Sequence, residues 1–326
     1  MNLKRLPHGQ FLYLSIVACL LFLAACSMAV PSTNIAADQH LAEDLPTQTI
    51  TSTLVPIATI KVNTTISPTI MPLPTVIPMD RASVELILKG NKDLSNRNLN
   101  GADLTNLDLS DASLINTLLL GADMRGADLT NADLTGAALT NADLSNADLT
   151  GTKLISATLT HTVFMSATLT NADLTGAINL TDTQLRAASS VKGIILVGQN
   201  LSNFNLSGLD LSDAHLENAN LSHTILTGTK LIRATLTHTV FMSATLTNAD
   251  LTGAINLTDT QLRAASSVSG IILVGQDLSN FNLCDLNLSD ADLSQSNLYK
   301  ADPDRGHLNR GEPTRSQLDG GKTDGC

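Results

Sequence analysis

Carboxylates are the side chains best placed to do chemistry in this sequence. Asp103, Asp108, Asp123, Asp128, Asp143 and Asp148 each stand just before a large apolar residue, at separations that are multiples of five. Carboxylate oxygens are preferred ligands of calcium, so gathered on one surface they could bridge a cation. Asn takes the same slot elsewhere, as at Asn98 and Asn220, which describes a solvated acidic face equally well. His161 and His238 sit in identical Thr-His-Thr triplets with His215 and His223 nearby, but no convergent metal-ligand spacing joins them. Ser and Thr are abundant, yet no nucleophile elbow, phosphate-cradling glycine loop or zinc motif contains them. The expectation is a chain without catalytic residues, metal or cofactor, and so not an enzyme. A formal charge of −11 also argues against direct binding of a nucleic-acid backbone, which wants a basic surface.

What positions those carboxylates is a period of five. From Leu94 every fifth residue through Leu174 is Leu, except Met124 and Phe164. A second run goes from Leu201 to Leu251 with Phe241 as its one exception, and a third from Leu278 to Leu298. Two residues before these positions the side chain is mostly small, as at Ala122, Ala127 and Ala132. Five is neither 3.6 nor 2, so neither an amphipathic helix nor a plain strand keeps these residues on one face. Two residues after the Leu, thirteen of the seventeen units of the first run carry Asn or Gly, residues that tolerate tight-turn backbone angles. Only eight residues are aromatic although 43% are hydrophobic, so Leu, Ala, Ile and Val must build the core.

Units such as Ala132-Asp133-Leu134-Thr135-Gly136 and Ala142-Asp143-Leu144-Ser145-Asn146 resemble the pentapeptide-repeat family, over roughly residues 91 to 300. The resemblance implies an all-β solenoid: a right-handed quadrilateral β-helix with about four pentapeptides per turn. Leu129, Leu134, Leu139, Leu144, Leu149, Phe164 and Phe241 would then point inward. Phe204 and Phe281, in the small-residue slot, would do so too. Asp103, Asp123 and Asp143 would stack in one column and Asp108, Asp128 and Asp148 in the next.

The three runs differ in register, each break adding two residues, and Gly151 to Leu206 matches Gly228 to Leu283 at an offset of 77 with three differences. The breaks span 177–200 and 254–277. Thr181-Asp182-Thr183-Gln184 and Thr258-Asp259-Thr260-Gln261 have capping-box form and predict a short helix in each, with Gly193 and Gly270 as candidate stops. Residues 81–93 predict a helical cap on the first coil of run 1 (94–176); run 2 spans 201–253 and run 3 278–300. One interrupted solenoid is favoured over separate rods. After residue 300 the pattern fails, and 301–326, with Pro303 and Pro313, reads as a polar tail that leaves the last coil uncapped and open to self-association.

The N-terminus reads as an address. Lys4 and Arg5 precede an apolar stretch from Phe11, which ends in Leu23-Ala24-Ala25-Cys26, the order of a secretory signal. Those last four residues resemble the bacterial lipobox, which implies a signal peptide over 1–25 and lipidation of Cys26. Cleavage after Ser27-Met28-Ala29, or a start near Met79, are the alternatives. Residues 26–80 hold seven of the ten prolines and read as a Thr/Pro-rich tether. The function expected is a membrane-tethered structural or protein-interaction scaffold on the outer face of the cytoplasmic membrane or beyond, with an unidentified protein partner. The alternative, implied by the family resemblance, is an acidic DNA-mimicking rod that binds DNA gyrase or topoisomerase, as quinolone-resistance proteins do.

Overall fold

The computed structural model describes residues 78–302. Cys26 and most of the tether expected over 26–80 and of the tail expected over 301–326 lie outside them, but Ala301 is buried in the core and Asp302 bridges Asn282, so the coils run two residues into that tail. Residue 93 opens a regular stack of coils. Single-residue parallel bridges join positions twenty apart, and four such bridges follow one another around each coil, five residues apart. The first face stacks Asp93, Ser113, Asp133, Lys153 and Asp173; the second Asn98, Leu118, Ala138, Thr158 and Ile178; the third Asp103, Asp123, Asp143 and Val163; the fourth Asp108, Asp128, Asp148 and Thr168. No strand is longer than one bridge among the described residues, because the chain turns a corner every five residues.

Each corner is a tight turn of one form. The N–H three residues after a Leu donates back to that Leu carbonyl, as from Ala132 to Leu129 at 2.9 Å. The residue between, two after the Leu, has φ near +60° in unit after unit, including Asn131, Asn141 and Gly136, the requirement of a type II turn. Coils are tied by two backbone bonds per bridge: at Asp133 and Lys153, Leu134 N–H donates to Lys153 O at 2.8 Å and Lys153 N–H to Ala132 O at 2.9 Å.

The shaft is filled from within. Leu129, Leu134, Leu139, Leu144 and Leu149 are wholly buried, with the Ala of the small slot packed between them, and Phe164 and Phe241 are buried in Leu positions. One core cluster runs from Val84 to Ala301 through both breaks, so the three runs form one solenoid. Phe204 and Phe281 depart from the inward placement expected of them. They are half-buried against the core, because a slot sized for Ala holds only part of a phenyl ring.

Among the described residues there are three helices: α1 (Arg81–Leu88), which precedes the coils, and α2 (Asp182–Ala187) and α3 (Asp259–Ala264), which interrupt them. Asp80 caps α1 by accepting the Ser83 N–H, Val84 is buried, and the Met79 N–H donates to Asn98 O at 2.9 Å. α1 thus covers the start of the first coil. Both shorter helices begin with a complete capping box, Thr181 with Gln184 and Thr258 with Gln261. Gly193 and Gly270 do not stop these helices, which end at Ala187 and Ala264. They are ordinary corners with φ of 67° and 65°. The breaks are also narrower than 177–200 and 254–277. Ser190 bridges Thr168, Ile195 bridges Asp173, and Val191, Ile194 and Leu196 already fill the shaft. Ile194 and Gln199 in the small slot disguise these units in the sequence.

Candidate functional site

The outward surface is built from the residue before each Leu and the residue after it. Where the first of these is Asp or Asn, its Oδ1 accepts the backbone N–H two residues on: Thr105 to Asp103 at 3.0 Å, Ser145 to Asp143 at 2.9 Å, Ser222 to Asn220 at 3.0 Å. Either residue type satisfies that N–H, which explains their exchange in the slot.

The six carboxylates do stack by coil, Asp103, Asp123 and Asp143 on the third face and Asp108, Asp128 and Asp148 on the fourth. Cations sit among them. Arg81 pairs with Asp103 at 3.1 Å, Lys92 with Asp108 at 3.2 Å, and Arg125 with Asp123 at 2.6 Å while lying 3.9 Å from Asp143. The carboxyl of Asp103 is held below the usual range first by the Thr105 hydroxyl, that of Asp108 by Ser110 and Lys92, and that of Asp123 by Arg125. The columns therefore spend much of their bonding capacity on the protein itself. A shallow depression beside them is lined by Thr105, Asn106, Arg125, Gly126 and Asn146.

His161, His223 and His238 occupy left-handed corners with φ of 55° to 59°, separated along the stack. No group of three or more His, Cys, Asp or Glu able to hold a metal exists among the described residues, and no helix there is long and apolar enough to cross a membrane. Cys284 is buried and disulfide-bonded.

Sequence reasoning missed the polar residues that make the breaks possible. Each break coil carries 22 residues instead of 20, and its helix displaces one bridge. The Gln184 amide donates to Leu159 O at 2.7 Å and Thr162 O at 2.9 Å, and Gln199 to Leu174 O at 2.6 Å and Ala177 O at 3.2 Å. All four are carbonyls of the coil before. Leu159 O and Leu174 O also accept their own corner N–H, from Thr162 and Ala177 at 3.1 and 3.0 Å, whereas Thr162 O and Ala177 O have the glutamine amides in place of a bridge N–H. Asp182 Oδ2 accepts the Asn205 N–H at 3.1 Å and Arg186 donates to Ser207 O at 3.1 Å. Gln261, Gln276, Asp259 and Arg263 repeat the arrangement. A buried-side Gln at a fixed place in both copies of the duplication was the available signal.

With five-residue units, inward Leu and four-sided coils in place, the class is defined: this is a repeat solenoid. The model of the pentapeptide repeats family matches residues 93–117, 108–146, 142–178, 196–228, 226–255 and 272–302. That is more than half of the chain, and the chain belongs to this family. No curated protein matches it. Among solved structures it is similar to HetL of the cyanobacterium Nostoc sp. strain PCC 7120, a pentapeptide repeat protein involved in heterocyst differentiation regulation. The two are 32% identical over 64% of this chain and 84% of that one, with a TM-score of 0.32. A thylakoid-lumen pentapeptide repeat protein of Arabidopsis thaliana is 22% identical over 50% of this chain and 74% of its own, with a TM-score of 0.23. QnrB1, a plasmid-mediated fluoroquinolone resistance protein, is 21% identical over 66% and 93%, with a TM-score of 0.28. Superpositions this partial carry no argument about activity.

Proposed function

We propose that this chain is a non-enzymatic scaffold: a pentapeptide-repeat rod exported on its N-terminal signal, anchored to the membrane through lipid on Cys26, and presenting its faces to a protein partner. One observation carries the non-enzymatic part. The polar side chains of the coils are consumed in holding the coils together, Asp and Asn on backbone N–H groups and buried Thr on carbonyls, as from Thr152 Oγ1 to Leu129 O at 2.7 Å. We also infer a right-handed coil, the hand that parallel crossovers adopt almost without exception. Stable anchoring needs more than one acyl chain, which a diacylglyceryl group on Cys26 supplies. The test is metabolic labelling with a fatty acid, followed by fractionation of the wild type and Cys26→Ala. Label and membrane association that both vanish in the variant support the anchor; an unlabelled protein in the cytosol contradicts it.

The second reading is the DNA-mimicking rod. It is favoured by the two carboxylate columns, Asp103 to Asp143 and Asp108 to Asp148. Each is three residues tall before Val163 and Thr168 replace the charge, and three cations already sit among them. A gyrase supercoiling assay with the purified protein decides it. Inhibition at micromolar concentration promotes this reading, and none at a hundred times more removes it.

A further inference from the structure

The four faces differ in charge, and one has a long stretch with none. Between Arg97 beside Asn98 in the face's first coil and Asp259 and Arg263 of α3, the second face runs through seven successive coils, residues 116–121, 136–141, 156–161, 176–181, 198–203, 218–223 and 238–243, without a single Asp, Glu, Lys or Arg. The other three faces all carry Asp, and the chain as a whole is −11. Large apolar side chains stand out from this neutral strip at three heights: Leu118 and Leu120 in its first coil, exposed by 43% and 44%; Ile178 in its fourth, 50%; Val240 and Met242 in its seventh, 43% and 57%. First, fourth and seventh are placed symmetrically about the middle coil. Between them come small or amide side chains in matching heights, Ala138 against Asn220 and Thr158 against Asn200.

We propose that this face binds a second copy of the chain, antiparallel, about a two-fold axis at the coil of Ile178. Rotation about that axis sets Leu118 against the partner's Val240, Leu120 against the partner's Met242, and Ile178 against the partner's Ile178. A two-fold interface must be self-complementary, and this spacing is. Charge selects the same occupant. Two acidic rods repel, and the neutral strip is where they can approach without burying like charges. α3 selects the antiparallel sense: it stands on the second face one coil above Val240, where it displaces a bridge and holds the next coil through Arg263 and Asn282. In a parallel pair the two α3 helices would meet; in the antiparallel pair they lie at opposite ends. Seven coils at about 4.8 Å and five residues at about 3.3 Å each make a strip of about 500 Å², or about 1,000 Å² for both copies. That is the lower bound for a specific interface, at the weak, transient end of the range. The inference stands independently of lipid anchoring.

Sedimentation equilibrium of the full chain across 1 to 100 µM tests it, with Ile178→Asp, Leu118→Lys, Val240→Glu and the double variant Leu118→Lys/Val240→Glu. Wild type should be a monomer–dimer equilibrium. Ile178→Asp sets two carboxylates face to face and should weaken it at least about 100-fold. Each other single variant should weaken it about tenfold or more, and the double variant should recover most of that by pairing Lys with Glu across the axis. Thermal melts confirm that the variants are folded, and Thr235→Asp on another face should change nothing. A wild type monomeric at 100 µM overturns the proposal, as does a dimer indifferent to Ile178→Asp, which would place contact elsewhere, for instance at the last coil. A double variant no better than the singles overturns the antiparallel register.

Discussion

The regular coils of residues 93–178 and the coil that carries α2 hold the same core by different means. In the regular coils, backbone N–H groups at each bridge satisfy the carbonyls of the coil below. In the α2 coil the same kind of carbonyl is satisfied by the side-chain amides of Gln184 and Gln199, and an Asp182 carboxylate accepts the N–H that would have looked for a backbone carbonyl. The difference teaches that a solenoid can take two extra residues without losing its shaft, provided side chains stand in for the missing backbone partners. Buried polar groups left unpaired would cost more than the insertion.

Truncating the shaft should give the largest effect and should not distinguish the two regions. Leu134→Ala in a regular coil and Leu185→Ala in α2, both fully buried, are each expected to lose about 2–5 kcal/mol in urea unfolding. A loss under about 1 kcal/mol at Leu185 would detach α2 from the core. Next comes the contrast itself. Gln184→Leu strips the Leu159 and Thr162 carbonyls of its amide donor and should cost about 2–3 kcal/mol, whereas Thr152→Val, which frees only one bond to Leu129 O, should cost about 1 kcal/mol. Equal losses would mean the break needs no special support.

The corners give a smaller effect of predictable sign. His161 has φ of 55°, so His161→Gly should stabilise by about 0.5–1 kcal/mol, while Asn141→Ala, at φ of 59°, should destabilise by a similar amount in the same melts. The weakest effect is that of pH. The carboxyls of Asp103, Asp108 and Asp123 are depressed below 3.8 in the fold. Their contribution is therefore present above pH 3.8 and lost as pH falls through the lower folded values. Melting temperature should fall below pH 3.8, and less steeply in Asp103→Asn/Asp108→Asn, whose amides still accept the Thr105 and Ser110 N–H groups.

The two copies of the duplicated segment add a second contrast. The 77-residue offset is one unit short of four coils when one of them carries 22 residues, so the copy is turned by one face. Val163 lies on the third face above Asp143, but Val240 lies on the second above Asn220. Their few differences follow local need: Arg233 reaches Asp213 one coil below at 2.6 Å, where its counterpart Ser156 has Gly136 beneath it.

How much of this could be read from the sequence depends on what repeats. The inward Leu positions, the corner residues and the capping boxes are local patterns recurring every 5 or 77 residues, and they are legible. The roles of Gln184 and Gln199 are not, since they concern carbonyls 22 to 25 residues earlier. Phe204 and Phe281 occupy an inward slot by count but exceed it by volume, which periodicity does not measure. The neutral stretch of the second face becomes visible only once the 20- and 22-residue coils are summed into one register.

That register is the central claim, and a distance across both breaks tests it most directly. Asp128 and Asp292 are exposed and stand on the fourth face eight coils apart. Spin labels introduced there as non-natural residues, leaving the native cysteines untouched, should give one narrow electron–electron distance near 40 Å, at about 4.8 Å per coil. A broad or divided distribution would mean that the runs are separate rods joined by hinges, and would contradict the continuous leucine shaft.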